Sequence, residues 1–435
     1  MLMPFQILGI WLRAILAVIF LGAGIYFLKQ WYDHRRHAVI VERPAADPLQ
    51  PDRARLAAAP NEFDRAEAPA RPDDRLAPAE NPGQTEMRMV SWEFGWNKET
   101  MWLLSGLEFI LSSFLLGWIW PKLLRRAGEG TLQTWRGTGE VRRLSRGDGT
   151  ELHIEMHGPE DGIPIVLTHG WGLDLDEWIC VRGLADEYRL IVWDLPGLGQ
   201  SVSPATADWS MEKLAGDLAA VLELAGDRPA ILVGHSIGGM ITLTLCKEQP
   251  ELVAERAAGL VIVNSTFINP CRTAKQAALY VALQKPILEP LCRLQIGLAP
   301  LFWAMNALAY LNGSAHWSTS RTSFSGKETR NQLGFLTRYY ATSWPSVIAR
   351  GFLGMFRYDV AGALAKIETP ALIITAEKDE LCRPSASEHM ASTMPNARLE
   401  TIEGARHCGG FEHAERLEDL IAAFARQNSP VAAVG

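Results

Sequence analysis

Two long apolar runs lie near the start of the chain, before any regular alternation of polar and apolar positions begins. Residues 5–28 and residues 101–120 each contain a single charged side chain. About 20 apolar residues are enough to cross a bilayer as a helix, and tryptophans near both ends of the second run are typical of membrane interfaces. We therefore predict a transmembrane anchor over residues 1–30 and a second transmembrane helix over residues 99–126.

Each run has an alternative interpretation. The first could be a secretory signal peptide, although no small-residue cleavage site precedes Lys29. The second could be an amphipathic helix that packs on a globular domain. Basic residues directly after the second run favour a cytoplasmic location for the rest of the chain, whereas the basic cluster after the first run favours the opposite orientation. We expect an integral membrane protein whose downstream domain is cytoplasmic.

The segment between the two runs has a different composition. Residues 31–98 are rich in Pro, Ala, Asp, Glu and Arg, and their central part has almost no aromatic side chains. Such a composition cannot bury a core. We predict a disordered linker over this range.

From about residue 132, short apolar runs alternate with amphipathic ones, as strands alternate with helices in a mostly parallel sheet that is covered on both faces. Gly147-Asp148-Gly149 is a turn signal that predicts an initial hairpin. The alternation stops after Ser265, where an apolar and aromatic helical region begins, and resumes at Ala371. The pattern predicts three segments: a core over 130–266, an inserted helical cap over 267–366, and the second part of the core over 367–428.

Composition narrows the possible partners and cofactors. The net charge is −7, and no basic stripe with interleaved aromatics is present, so a nucleic-acid partner is not expected. The six cysteines form no C-x-x-C pair, which argues against a zinc site or a disulfide framework. No phosphate-cradling loop is present either, and we expect neither a metal nor any other cofactor. The composition does not specify an oligomeric state.

The most informative motif is G-H-S-I-G-G at residues 234–239, which follows an apolar run and precedes a helix-like one. Glycines on both sides of Ser236 permit a sharp turn between a strand and a helix that lie close together. Such a turn exposes the serine oxygen at the end of the strand, beside the positive end of the helix. The bland interpretation is a glycine-rich turn without chemistry.

Further landmarks change that balance. H-G-W-G at residues 169–172, D-L-P-G-L-G-Q-S at 194–201, Asp379 after a late strand and His407 near the end occur together with the serine motif. Residues 132–427 therefore resemble the α/β-hydrolase fold superfamily, specifically its capped serine hydrolases, with the chain order nucleophile, acid, base. The resemblance implies an α/β fold with a central parallel sheet, and it does not cover the first 130 residues.

The resemblance also implies roles for individual residues. Ser236 would be the nucleophile, His407 its general base and Asp379 the acid that orients the imidazole. The backbone amides of Trp171 and Ile237 would form the oxyanion hole. Competitors are Glu377 and Glu380 for the acid and His413 for the base, while His169 and Asp194 would brace loops. The alternative acid position, near Asn264, carries no carboxylate. The serine argues against epoxide hydrolases and haloalkane dehalogenases, which use an aspartate.

The cap is expected to set substrate preference, because ligand pockets are mostly apolar. We expect substrate contacts from Trp171, His235, Phe302, Trp303 and Tyr310, and a bilayer contact from the uncharged run 294–320. The predicted function is a membrane-associated serine hydrolase that cleaves a lipophilic carboxylic ester through an acyl-serine intermediate. Alternatives are an acyltransferase, a thioesterase or a carbon–carbon bond hydrolase with the same triad, and a non-catalytic membrane-tethered binding protein.

Overall fold

A computed structural model describes residues 3–36, 97–125 and 134–429. The greater part of the predicted linker therefore lies outside the described residues. The chain divides into two compact units, one made of Met1–Ala23 with Glu108–Gly435 and the other of Gly24–Leu107.

The described residues form an eight-stranded sheet in the order β1-β2-β4-β3-β5-β6-β7-β8. Strand β2 is antiparallel to both β1 and β4, and the remaining neighbours are parallel. The predicted hairpin is confirmed by the pairing of β1 with β2. The strands are β1 (Glu140–Ser145), β2 (Glu151–His157), β3 (Ile163–Thr168), β4 (Tyr188–Trp193), β5 (Ala230–His235), β6 (Ala257–Val263), β7 (Ala371–Ala376) and β8 (Ala397–Ile402).

Helices precede the sheet, connect its parallel strands and form the cap. They are α1 (Met3–Arg36), α2 (Lys98–Leu124), α3 (Met211–Leu222), α4 (Ile237–Glu248), α5 (Pro250–Arg256), α6 (Pro270–Thr273), α7 (Ala277–Leu283), α8 (Glu289–Gly297), α9 (Ala299–Leu311), α10 (Ser314–Ser323), α11 (Arg330–Thr342), α12 (Pro345–Met355), α13 (Pro384–Thr393) and α14 (Ala414–Asn428).

The central strands read as continuous apolar runs because both faces of the sheet are covered. On β5, Leu232 belongs to the core on one face, together with side chains of α3 and α4. Its neighbours Ile231 and Val233 belong to the core on the other face, together with side chains of α14. Because β3, β5, β6 and β7 run parallel, their carboxyl ends lie at one edge of the sheet, where the polar landmarks of the sequence follow.

The segment that follows the H-G-W-G turn is a 3₁₀ helix, Leu175–Asp186, with a kink at Val181. The physical reason lies in its acidic side chains, which are drawn inward. Asp176 accepts a hydrogen bond from the Trp135 amide at 2.7 Å, and Glu177 accepts one from the Gly170 amide at 2.6 Å. These inward bonds compete with regular helical geometry.

Two helices among the described residues are long and apolar enough to cross a membrane, Ile15–His34 within α1 and Lys98–Leu123 within α2. In the unit that contains the hydrolase core, Phe20 and Phe109 meet edge to face, with ring centroids 5.3 Å apart. In the other unit, a Cβ on Gly106 would lie 2.8 Å from the Leu28 side chain. Small residues permit such close helix contacts in membranes.

Candidate active site

Ser236 lies at the sharp turn between β5 and α4, with the left-handed φ of 54° that side chains rarely adopt. The flanking glycines explain how the turn fits. A Cβ on Gly234 would lie 2.4 Å from the backbone of Gly238, and a Cβ on Gly238 would lie 2.2 Å from the Thr168 oxygen. The strain at Ser236 is the geometry that presents a hydroxyl at the end of a strand.

The structure brings Ser236, His407 and Asp379 together in one hydrogen-bonded line. The His407 Nε2 lies 3.0 Å from the Ser236 Oγ, and its Nδ1 lies 2.7 Å from the Asp379 Oδ2. The other Asp379 oxygen accepts from the backbone amides of Leu381 (2.7 Å) and Cys382 (3.0 Å). All three side chains are buried. The two amides therefore hold the carboxylate in the orientation in which it bonds the imidazole.

The loop that carries His407 is held by two side chains from the sheet. The carbonyl oxygen of His407 accepts from Asn264 Nδ2 at 2.8 Å and from His235 Nε2 at 3.0 Å. Asn264 Oδ1 accepts in turn from the Ala376 amide at 2.7 Å. Asn264, at the alternative acid position, thus links β6, β7 and the histidine loop.

A buried ion pair lies beside this line. The Nδ1 of His235 is 2.6 Å from Glu177 Oε1, while its Nε2 bonds a carbonyl oxygen, so both nitrogens face acceptors. Burial alone would lower the pKa of His235, but the Glu177 carboxylate outweighs it, and the pKa lies above its ordinary 6.5. Burial opposes ionisation of Glu177 as well, yet His235 holds the pKa of that carboxyl below 4.5. Each partner therefore favours the ionised form of the other.

Glu177 also holds the turn that follows β3. Its second oxygen accepts from the Gly170 amide, and a Cβ on Gly170 would lie 2.8 Å from the His235 ring. The same carboxylate therefore positions the H-G-W-G turn and, through His235, the carbonyl of His407.

The amides of Trp171 and Ile237, predicted to bind an oxyanion, have no hydrogen-bond partner among the described residues. The indole of Trp171 is held by the cap. Its Nε1 donates to the Ile348 oxygen at 3.1 Å, and a Cβ on Gly351 would lie 2.0 Å from the ring. Only a glycine leaves room there, so α12 fixes the turn that presents the Trp171 amide.

The cavity at Ser236 is small, with a volume of about 30 Å³. Its lining comprises Gly170, Trp171, Leu173, His235, Ser236, Tyr340, Phe352, Leu381 and His407. The cap contributes the aromatic rings of Tyr340 on α11 and Phe352 on α12, which narrow the site. A wider cleft of 610 Å³ is lined by Asp379 and other, mostly charged residues, and Ser236 is not among them.

Three predicted substrate contacts are not among the described residues that line this cavity. Phe302 is buried inside the cap, Trp303 faces outward, and Tyr310 packs against the ring of His316 at 4.7 Å. The physical reason is that α9 packs against other cap helices and leaves its remaining face exposed. Trp171 and His235, the other predicted contacts, do line the cavity.

The competing acids and base have other neighbours. Glu377 accepts from the Gly404 amide at 2.7 Å, Glu380 pairs with Lys275 at 2.6 Å, and His413 precedes α14. The histidine of the H-G-W-G turn braces two loops, because the Leu195 amide donates to its Nε2 at 2.9 Å while its Nδ1 faces the Gly170 oxygen. Burial lowers the pKa of His169.

Asp194 organises the D-L-P-G turn. It accepts from the backbone amides of Leu175 at 2.9 Å and Gln200 at 2.7 Å, and it pairs with Arg136 at 3.0 Å. All of these contacts are separate from the hydrogen-bonded line of Ser236, His407 and Asp379, which we call the triad line. They are contacts of the kind that bracing a loop requires.

Donor atoms of Asp379, Cys382 and His407 lie within 4.8 Å of one another, close enough for a metal site by distance alone. The chemistry of this donor set does not favour one. Asp379 and His407 already bond each other, and burial raises the pKa of Cys382 well above 9.0. A cysteine binds metal as a thiolate, and this thiol is protonated at neutral pH.

Sequence reasoning did not identify Glu177 or the cavity-lining Tyr340, Phe352 and Leu381. Glu177 gives no local signal, because its partners come from two other turns. The two cap aromatics lie in amphipathic helices that also carry Arg338 and Arg350, outside the uncharged run. An acidic residue soon after the H-G-W-G turn, opposite the histidine of G-H-S, is the pattern that could have indicated the ion pair.

The family profile described as alpha/beta hydrolase fold matches residues 163–414, more than half of the chain. A pimeloyl-[acyl-carrier protein] methyl ester esterase from Methylococcus capsulatus is 30% identical over 282 residues, which cover 63% of this chain and 98% of that protein. A protein from Stutzerimonas stutzeri, provisionally named carbamate hydrolase RutD, is 26% identical over 275 residues, or 62% of this chain and 95% of its own length.

A solved structure supports the same assignment at the level of fold. The thermophilic esterase from Thermogutta terrifontis matches with a TM-score of 0.55 and 23% identity, over 67% of this chain and 100% of the esterase. The chain belongs to the α/β-hydrolase fold family, and it is a hydrolase of that fold.

Proposed function

We propose that the protein is a membrane-associated serine hydrolase that cleaves a lipophilic carboxylic ester. The observation that carries this proposal is the continuous hydrogen-bonded line from the Ser236 Oγ through the His407 imidazole to the Asp379 carboxylate. The backbone amides of Trp171 and Ile237, which have no hydrogen-bond partner within the described part of the chain, belong to the same site. A nucleophile, a base, an orienting acid and oxyanion donors are the parts that acyl transfer through serine requires.

In the acylation half, the Ser236 oxygen attacks the ester carbonyl carbon while its proton moves to the Nε2 of His407. The carbonyl oxygen becomes an oxyanion that accepts from the amides of Trp171 and Ile237. The imidazolium, stabilised by Asp379, then donates its proton to the departing alkoxide. The products of this half are an alcohol and an acyl-Ser236.

In the deacylation half, water attacks the acyl carbon and gives a proton to the Nε2 of His407. The second tetrahedral intermediate uses the same two amides. When it collapses, the serine oxygen leaves and takes the proton from His407, and the carboxylic acid departs. None of these steps calls for a metal or a cofactor.

The apolar character of the substrate is supported by the cavity walls, to which Trp171, Leu173, Phe352 and Leu381 contribute. The relative that acts on a methyl ester of an acyl chain, by its name, supports an ester of this general kind. The cavity beside Ser236 has a volume of only about 30 Å³. We infer that Tyr340 and Phe352 move away from Ser236 when substrate enters.

Membrane association is supported by the length and hydropathy of α1 and α2. Lys122 and Arg125 at the end of α2 favour the cytoplasmic side for this end, and we propose the same side for the hydrolase domain. Full-length protein should sediment with membranes and resist alkaline carbonate. Release by carbonate would show that neither helix is a stable span.

Labelling with a fluorophosphonate probe tests the catalytic proposal, with Ser236→Ala as the control. Labelling of the parent chain alone is expected, and a failure to label would favour the non-catalytic binding protein.

Product analysis over a series of esters, thioesters and carbon–carbon substrates, with and without an alcohol acceptor, separates ester hydrolysis from the other three activities. Free acid as the main product of esters, in the presence of alcohol, is expected.

A further inference from the structure

The cap leaves large apolar side chains exposed along α8, α9 and α10. We call this set the cap's apolar face, and it consists of Leu294, Leu298, Leu301, Trp303, Leu311 and Trp317. No Asp, Glu, Lys or Arg occurs between residues 294 and 320. Soluble domains seldom expose a large apolar patch unless it binds something.

This face adjoins the C-terminal half of α2. A Cβ on Gly117 of that helix would lie 2.0 Å from the Tyr310 oxygen, and a Cβ on Gly313 would lie 3.1 Å from the Leu116 carbonyl. The two backbones therefore touch, with glycine on both sides of the contact. Gly313 also has a φ of +80°, which ends α9 and turns the chain into α10.

The polarity of the cap changes in step with the polarity of α2. Gly117 lies within the apolar run of α2, and there the helix contacts the backbone of the cap at the end of α9. About 12 Å further along the helix, the side chain of Arg125 bonds Glu328, whose carboxylate is fully buried, at 2.7 Å. Arg330 bonds the Lys122 oxygen at 3.1 Å. The cap is thus apolar where the helix is apolar and charged where the helix becomes charged.

The shape of the cap helices adds a further constraint. The segments Ala277–Gly297 and Ala299–Leu311 together are as apolar as a membrane span, yet they meet at 98°. A pair bent by this angle does not cross a bilayer as one straight helix. Exposed Lys285 and Arg293 on the same segments suit anionic headgroups.

We propose that the cap's apolar face is inserted into the interfacial layer of the bilayer, in the leaflet where α2 ends. The occupant of the face is lipid, at the boundary between headgroups and acyl chains. This inference rests on the proposed function in one respect, that α2 crosses the membrane. It assigns the cap a membrane contact of its own, in addition to the two helical spans.

The test uses the full-length chain in phosphatidylcholine vesicles that contain a minority of phosphatidylglycerol. An environment-sensitive fluorophore is attached to Leu301→Cys, and the matched control is Val202→Cys on the hydrolase core. The two native side chains are similarly exposed, at 54% and 50%. The unsubstituted chain gives the labelling background of the native cysteines, and turnover of a soluble ester confirms that each variant is folded.

Quenching decides the result. The probe at position 301 should be quenched by lipid-borne doxyl groups and protected from aqueous iodide, whereas the probe at position 202 should show the reverse. If both probes respond to iodide while the chain resists carbonate, the cap inference is overturned and the anchoring proposal stands. Protection from both quenchers would mean that a second copy of the chain covers the face, which also overturns it. If carbonate releases the chain, anchoring itself fails.

Discussion

The hydrolase core and the cap contribute to the same site in different ways. On the core side, each member of the triad line has fixed partners, including two backbone amides on Asp379 and two side chains on the His407 carbonyl. The cap contributes aromatic walls and a bond to the Trp171 indole. Under the proposed function, reactivity depends on the sheet edge and its hydrogen-bonded partners, while access depends on the helices that pack over it.

The largest effect should come from the core. Replacement of Ser236 by alanine or His407 by alanine should each lower kcat by about 10⁶-fold, and the double variant should be little worse because the triad acts as a unit. Steady-state ester hydrolysis measures this. Asp379→Asn should retain the fold and lose about 10⁴-fold. Near-normal turnover by Ser236→Ala would show that Ser236 is not the nucleophile and that the core does not set reactivity in the proposed way.

The joint between core and cap should have the next largest effect. Gly351→Ala places a methyl group 2.0 Å from the Trp171 ring, so the turn that presents the Trp171 amide must shift. We expect a fall in kcat of about 10²-fold, the size of losing one oxyanion donor. Gly334→Ala in α11 is the matched control, because nothing lies within 4 Å of its Cβ position. Equal rates for the two variants would mean that the cap does not position the turn.

The Glu177–His235 pair should have a smaller and pH-dependent effect. Glu177→Gln should lower kcat about fivefold, corresponding to the loss of about 1 kcal/mol of positioning, with little change in KM. A role in stability alone would leave kcat unchanged while the melting temperature fell.

The pH dependence follows from the two shifted groups. The pKa of His235 lies above 6.5, so its stabilisation is lost as the pH rises through the folded value. The pKa of Glu177 lies below 4.5, so its stabilisation is lost as the pH falls through the folded value. The difference in melting temperature between parent and Glu177→Gln should therefore be largest between pH 4.5 and 6.5. A difference that is flat with pH would contradict the charged pair.

The smallest effect concerns chain length. Phe352→Ala removes a ring from the cavity wall and enlarges the cavity. Each added acyl methylene should then improve the binding free energy by about 0.8 kcal/mol, which lowers KM about fourfold, until the space is filled. Trp303→Ala should leave the preference for soluble esters unchanged, because Trp303 faces away from the cavity. Initial rates over an acyl series measure both. If the preferred acyl length changed in Trp303→Ala but not in Phe352→Ala, then Trp303 and not Phe352 would line the substrate cavity.

The core could be predicted from sequence because its signals are local. The strand, the glycine-flanked Ser236 and the late positions of Asp379 and His407 are each visible within a few residues, and the parallel topology brings them to one edge. The placement of the triad line followed from chain order alone. Glu177 has no comparable signal, since its function depends on meeting Gly170 and His235 after folding.

The cap was harder to predict for a physical reason. An uncharged aromatic run indicates that side chains avoid water, but it does not distinguish a substrate wall from a helix interface or a membrane contact. Phe302, Trp303 and Tyr310 were predicted on that signal, and they lie away from the cavity. Tyr340 and Phe352, which do line the cavity, belong to amphipathic helices, where polar residues interrupt the aromatic signal in the sequence.

The bond between the Trp171 indole and α12 has a consequence for how substrate reaches Ser236. The indole nitrogen donates to the Ile348 oxygen of α12, and the ring lies against Gly351 of the same helix, so a displacement of α12 would also displace the turn that carries the Trp171 amide. An acyl chain can therefore enter with that turn undisturbed only if the Tyr340 and Phe352 side chains rotate away from Ser236 while the backbone of α12 stays in place.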